Sequence, residues 1–436
     1  MRYSNTFWFY RFLLSIALIN ISMYAVNAQD SLINYDETKM PPYTLPDPLL
    51  LPGGKHITTS KEWIQQQRPA MLKLFADNVY GTFPGKPKEL HFKLKTIDSF
   101  ALGGKAIRKE VTIYFSRVSG GPSMELLLYL PKSAKGRVPV FTGLNFYGNQ
   151  AISNDPAISL TTRWVPNDPK KNIERNHAGE SSRGTDADRW PVEEIIKRGY
   201  GLATAYYGDL EEDFPEGWKT GIRTSMKPAL GINEKEWGAI GAWAWGLCRI
   251  MDYLETDPSV NARQVVITGH SRLGKAALWA AANDTRFAIV VSNNSGEGGA
   301  ALSRRWFGET IKKINTTFPY WFVAKYKQYN DDPRLLPVDQ NILLALMAPR
   351  PLYVASAEND QWADPNGEFL SAKNAAPVYA LFGKKGLGVN DMPPVNHPVG
   401  NTIRYHIRTG DHNITLYDWQ QYLDFADKQF GIMKHP

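Results

Sequence analysis

The sequence predicts an α/β protein, a three-layer αβα sandwich whose mostly parallel central sheet is entered through an antiparallel meander. From Val138 onward, short apolar runs of buried-strand character alternate with stretches of helical spacing, the pattern of a parallel sheet covered on both faces. Ahead of that region, three strand-like runs follow one another with only Gly-rich turns between them, which suits antiparallel neighbours. At 436 residues and 43% apolar, the chain can bury a large core.

Taken in order, the first 28 residues read as a signal peptide. Arg2 and Arg11 mark a basic start, "FLLSIALINISMYAV" is apolar, and "VNA" ending at Ala28 supplies the small residues of a cleavage site. The mature chain then starts at Gln29, in the periplasm or secreted, with no stable membrane association after cleavage. The alternative, an uncleaved anchor, would need a spanning helix from a short run that contains Asn20 and Ser22. Residues 29–60, with "KMPPYTLPDPLLLPGG", read as an extended arm, and 61–436 as a single domain.

That domain opens with "SKEWIQQQRPAMLKLFADNVYG", where Trp63, Met71, Leu72, Leu74 and Phe75 have helical spacing and Ser60 is the expected N-cap. The meander follows as "LHFKLKTIDSF", "IRKEVTIYFSRV" and "MELLLYLP". The buried strands are "VPVFTGLNF", "GYGLATAYYG", "QVVITG", "FAIVVSNNSG" and "RPLYVASAEND". Helices fit at "WPVEEIIKRG", "EWGAIGAWAWGLCRIMDYLET", "LGKAALWAAAND" and "ITLYDWQQYLDFADKQF", the second of these apolar nearly all round. Two long connections, 148–189 and 383–402, are expected to build the rim of a site.

Composition excludes several function classes. A single cysteine, Cys248, permits no internal disulfide, so stability rests on the core. The formal charge of +7 comes from scattered Lys and Arg without a dense basic run, which argues against nucleic acid as a partner. No H-x-H or H-E-x-x-H spacing points to a metal. Oligomeric state leaves no direct sign in the chain; a monomer is the expectation.

The chemistry concentrates at "VVITGHSRLGKAALWAAA". Gly269, Ser271 and Gly274 lie between a strand ending at Thr268 and a helix starting at Arg272, the setting in which a serine is lifted above a sheet as a nucleophile. The usual second Gly of G-x-S-x-G is replaced by Leu273, and Gly274 is expected to take over its packing role. A Ser that merely caps a helix would look similar. A base should follow a late strand, where His412 in "YHIRTGDHNITLYDW" is the best placed. His406 falls within the strand, His397 in "PPVNHPVG" is a competing loop candidate, and His435 is near the terminus. An acid should lie at a strand end between them; "RPLYVASAENDQWADP" offers Glu358, Asp360 and Asp364, with Asp360 chosen by position.

Three blocks carry a resemblance: "TGHSRLGKAALWAAANDTRFAIVVSNNSGEGGAALSRRWFGE", "LPVDQNILLALMAPRPLYVASAENDQWADPNGEFL" and "YHIRTGDHNITLYDW". With them, the chain from about residue 45 to its end resembles the glucuronoyl esterases, carbohydrate esterase family 15, in particular their bacterial members. The resemblance implies an α/β-hydrolase without a cofactor that cleaves esters between 4-O-methyl-glucuronic acid on xylan and alcohol groups of lignin. It assigns Ser271 and His412 as nucleophile and base, Arg272 to oxyanion stabilisation, and Lys275, Glu309 and Trp362 to the sugar ring. One departure stands out: many members carry the acid as a Glu at the position of Asn294, and Glu297 occupies a different place in that loop. Members lacking the Glu look as if they use an Asp after the next strand, here Asp360. The rival readings are an acetyl-xylan or other carbohydrate esterase on the same fold, and a catalytically dead carbohydrate-binding homologue.

Overall fold

The computed structural model describes residues 33–432 apart from position 52, so the signal-peptide reading, the first residues of the arm and His435 lie outside the described residues. Among the described residues, ten strands form one sheet: β1 (His91–Phe100), β2 (Ala106–Tyr114), β3 (Ser123–Pro131), β4 (Val138–Asn145), β5 (Gly201–Tyr206), β6 (Val260–His270), β7 (Ile289–Asn293), β8 (Leu352–Ala357), β9 (Val399–Gly400) and β10 (Ile403–Arg408). Their spatial order is β1-β2-β3-β5-β4-β6-β7-β8-β10-β9. The expected meander β1–β3 is antiparallel and continues antiparallel onto β5. From β5 through β4, β6, β7 and β8 to β10 every pairing is parallel.

The helices that bear on the site are α1 (residues 60–80), α2 (Val192–Lys197), α3 (Ala239–Leu254), α4 (Arg272–Asn283), α5 (Ile311–Thr317), α6 (Pro365–Asn374) and α7 (Leu416–Phe430). Strand alternation explains why the parallel strands are apolar at successive positions. Val265 and Ile267 of β6 and Leu352 and Val354 of β8 pack into one apolar layer with α3 and α4. Val266, Tyr353 and Ala355 pack into the other, with α2 and α7. Helix α3 is buried along its whole length, and its two charges meet each other, Arg249 Nε donating to Asp252 Oδ2 at 2.6 Å.

Two boundaries differ from the sequence reading. The cap of α1 is Thr59, not Ser60: Thr59 Oγ1 accepts from the Glu62 amide (3.2 Å) while the Glu62 carboxylate accepts from the Thr59 amide (3.3 Å). The segment "TSKE" is thus a capping box, which places the cap one residue earlier. Within α1, Trp63–Gln67 and Ala76–Tyr80 are π-helical. Strand β6 runs past Thr268 to His270, because Gly269 and His270 stay paired with Ser292 and Asn293 of β7.

The described part of the arm is pinned at both ends. Gln67 Nε2 donates to the carbonyls of Pro48 (3.0 Å) and Leu50 (2.9 Å). Near its start, the Asn34 carbonyl accepts from the Gly308 amide (2.8 Å) and Glu37 pairs with Arg305 (2.5 Å). Among the described residues, no helix is long and apolar enough to cross a membrane.

Candidate active site

Ser271 occupies the turn between β6 and α4 with φ 56° and ψ −131°, a backbone conformation that is costly for a residue with a side chain. The turn is held by the Ser271 amide donating to the Asn293 carbonyl and the Gly274 amide donating back to the Ser271 carbonyl, both at 2.9 Å. A Cβ on residue 269 would lie 2.1 Å from the Leu273 carbonyl oxygen, and one on residue 274 would lie 3.0 Å from both the Gly269 carbonyl and Ser295 Cβ. Leu273 turns away into the core, 1% exposed. The tight approaches therefore fall at 269 and 274, which is why a leucine is tolerated between Arg272 and Gly274.

His412 stands in the connection between β10 and α7, with Nδ1 2.6 Å from Asp360 Oδ2, just beyond β8. A donor at Nδ1 leaves Nε2 as the ring's acceptor. Asn294, where many relatives are expected to carry the acid, donates from Nδ2 to the same Asp360 oxygen at 2.7 Å, so the amide acts as a brace for the neighbouring carboxylate. The His270 ring packs 4.6 Å from that of His412, and its Nδ1 lies 2.6 Å from Asn293 Oδ1. Burial, with His412 alongside, holds His270 well below the usual histidine range, so it stays uncharged.

The competing candidates lie elsewhere. Asp364 caps α6 through the Gly367 amide (2.9 Å) and pairs with Arg305 (2.7 Å). Glu297 is buried among Ser303 Oγ (2.7 Å), the Gly298 amide (3.0 Å) and the Tyr326 hydroxyl. His406 is packed between Tyr353 and Asp418, while His397 is exposed on its loop.

Ser271, His412 and Asp360 line one cleft of about 380 Å³, together with Arg272, Lys275, Glu309 and Trp362. Lys275 is buried rather than solvated: Nζ donates to the Ser295 carbonyl at 2.6 Å and sits 3.6 Å from Glu309 Oε2. Burial lowers the Lys275 pKa and raises that of Glu309, each partly countered by the other's charge. The Glu309 amide donates to the Trp362 carbonyl (2.9 Å), which joins the two loops on this side of the cleft. The Arg272 guanidinium lies 4.9 Å from the ring centroid of Trp321, which is itself stacked on Phe318. Among the described residues, no group of His, Cys, Asp and Glu could hold a metal ion.

A family model described as glucuronyl esterase, fungi, matches residues 230–383, the stretch that carries Ser271 and Asp360 but not His412. A carbohydrate esterase from an unknown prokaryotic organism is 49% identical over 404 residues, covering 92% of this chain and 93% of that protein. A solved structure of a promiscuous esterase of carbohydrate esterase family 15, from a marine bacterial metagenome, is 49% identical with a TM-score of 0.86, covering 91% of this chain and all of that one. The chain belongs to carbohydrate esterase family 15. Another family member, a glucuronoyl esterase from Solibacter usitatus, is 51% identical with a TM-score of 0.85 over 90% of this chain and 100% of its own. The layers described above are those of an α/β-hydrolase, as the resemblance implied.

Around the site of this family 15 esterase stand two carboxylates that no motif marks. Asp213 meets Arg272. Glu368, on α6, accepts from the amides of Ser295 (2.7 Å) and Gly296 (3.0 Å) and from Ser356 Oγ (2.6 Å), and so fixes the loop after β7. Burial pushes the carboxyls of both Glu297 and Glu368 up to about 8 from an ordinary 4.5. Between those values the folded protein keeps protons that the unfolded chain releases, so deprotonation favours unfolding. Thermal melts should therefore show the melting temperature declining from pH 5 to pH 8.5. Glu297→Gln combined with Glu368→Gln should flatten the decline; an unchanged slope would assign it to other groups.

Proposed function

We propose that this protein is a serine-type carboxylic ester hydrolase acting on esters of glucuronic or 4-O-methyl-glucuronic acid, as in the links between glucuronoxylan and lignin in plant cell walls. The observation that carries the reading is the 2.6 Å contact from His412 Nδ1 to Asp360 in a cleft that also contains Ser271 on its strained turn. Relatives named 4-O-methyl-glucuronoyl methylesterase, among them one from Neurospora crassa that is 26% identical over 350 residues, support the substrate class. A leader spanning residues 1–28 would take the enzyme out of the cytoplasm, where such polymers are met.

In this reading Ser271 Oγ attacks the ester carbonyl as His412 Nε2 takes its proton, and Asp360 stabilises the resulting imidazolium. Negative charge on the carbonyl oxygen meets the Arg272 amide, at a helix position with no intrahelical acceptor, and the Arg272 guanidinium. The tetrahedral species collapses, the C–O bond to the alcohol breaks, and the alcohol leaves with the proton from His412. Water, deprotonated by the same imidazole, then releases the uronic acid and restores Ser271. No cofactor enters these steps. Lys275, with a third N–H to spare, and Glu309 bind ring hydroxyls while Trp362 offers a face to the sugar.

Comparing kcat/KM on benzyl glucuronate, methyl galacturonate and an acetyl ester tests this; a preference for the acetyl ester would replace it with a small-acyl esterase. On the uronate, Lys275→Ala and Trp362→Ala should each cost about 1–3 kcal/mol in kcat/KM, the scale of one hydrogen bond or one stacked ring at a desolvated site. Equal losses on an aryl acetate would remove the sugar-contact role.

A further inference from the structure

We infer that Asp213 is a positioning residue that holds the Arg272 guanidinium in the orientation it needs against the substrate's carbonyl oxygen. The inference rests on the proposed role of Arg272 and adds the group through which that role is exercised. Asp213 lies in the segment after β5, its side chain 2% exposed. Each carboxylate oxygen takes two donors: Oδ2 accepts from Arg272 Nη1 and the Tyr207 hydroxyl (3.1 Å), Oδ1 from the Tyr320 hydroxyl (2.7 Å) and Trp321 Nε1 (2.8 Å). The two aromatic donors at 320 and 321 belong to the same wall on which the guanidinium rests. Position and plane of the arginine are thus both set by groups gathered around one carboxylate.

With Nη1 engaged by Asp213, the Arg272 side chain still keeps 28% of its surface exposed. Arg272 Nε is buried and finds no acceptor among the described residues. A buried donor without a partner is uncommon in a folded interior. Arg272 is also the residue directly after Ser271 and lines the same cleft. Burial works most strongly against its charge, and Asp213 together with Tyr207 and Tyr320 outweighs burial, so the guanidinium remains charged in a place where charge is most effective. An amide cannot replace the acid here: Arg272 and Trp321 can only donate, and an asparagine would turn an NH₂ towards one of them.

The test is a double-mutant cycle read as kcat and KM on benzyl glucuronate, with thermal melts to follow folding. Arg272→Met should lower kcat by about 10²–10³-fold, the range for removing an oxyanion donor. Asp213→Asn should lower kcat by about 30-fold or more with KM changed less than about threefold, because the oriented charge matters most in the transition state. In the Arg272→Met background the same substitution should change kcat by less than about twofold, since its target is gone. Should Asp213→Asn not fold, Asp213→Glu moves the carboxylate by one methylene and should give the same pattern. Equal losses in both backgrounds would mean that Asp213 acts on the fold at large, overturning the inference while leaving Arg272's role intact. A near-normal Arg272→Met enzyme would overturn both.

Discussion

Ser271→Ala should reduce hydrolysis of glucuronate esters by about 10⁴-fold or more while the protein stays folded. The strained turn is set by backbone contacts, from the Ser271 amide to Asn293 and from Gly274 back to Ser271, and none of these uses the hydroxyl. Alanine keeps the Cβ and the same backbone demand, so the loss falls on the chemistry rather than on the core. Initial rates on benzyl glucuronate with a melting curve on the same sample decide it. A variant within tenfold of the parent would end the serine mechanism.

The second large effect concerns the acid. Asp360→Asn should cost about 10⁴-fold in kcat, since the neutral side chain cannot stabilise the imidazolium and favours the wrong tautomer of His412. Two donors already converge on Asp360 Oδ2, one from His412 and one from Asn294. An amide oxygen at 360 could still accept from both, but without the negative charge that stabilises the imidazolium. Asp364→Asn and Glu297→Gln are the controls, because both carboxylates are engaged away from His412, with Arg305 and with Ser303 and Tyr326. Either control should change stability more than kcat. A dead Glu297→Gln beside an active Asp360→Asn would move the acid to the loop after β7.

Much of this arrangement is legible in the chain for a physical reason. A strand–turn–helix with small residues at 269 and 274 is a local constraint, and local constraints leave local marks in a sequence. His412 and Asp360 are found by chain order relative to strands that announce themselves through apolar runs. The two shifted boundaries are local as well: Ser60 beside Thr59 gives two hydroxyls one residue apart, and β6 continues past Thr268 because its partner β7 continues. What cannot be read is the fate of similar side chains in one polar stretch. In "YYGDLEEDFPEG", Asp209 accepts from the Glu125 amide, Glu211 pairs with Arg223, and Asp213 reaches Arg272. Those partners come from distant segments, and no spacing within the stretch separates them. Asn294 is visible as a departure, yet its bracing of Asp360 depends on the parallel pairing of β7 with β8.

The tether between Glu37 and Arg305 has a consequence in time. The two residues are separated by 268 positions, and Glu37 also accepts from Asn366 Nδ2 (3.1 Å). A chain made from its N-terminus exposes Glu37 long before Arg305, so this end of the arm docks only after the segments through β7 and the Ser271 turn have been made, whereas the end held by Gln67 can dock early. The turn bearing Glu309, joined to the arm through Gly308 and Asn34, is completed only at that late step. His412 emerges later still, so its contact with Asp360 is the last part of the cleft to form during synthesis.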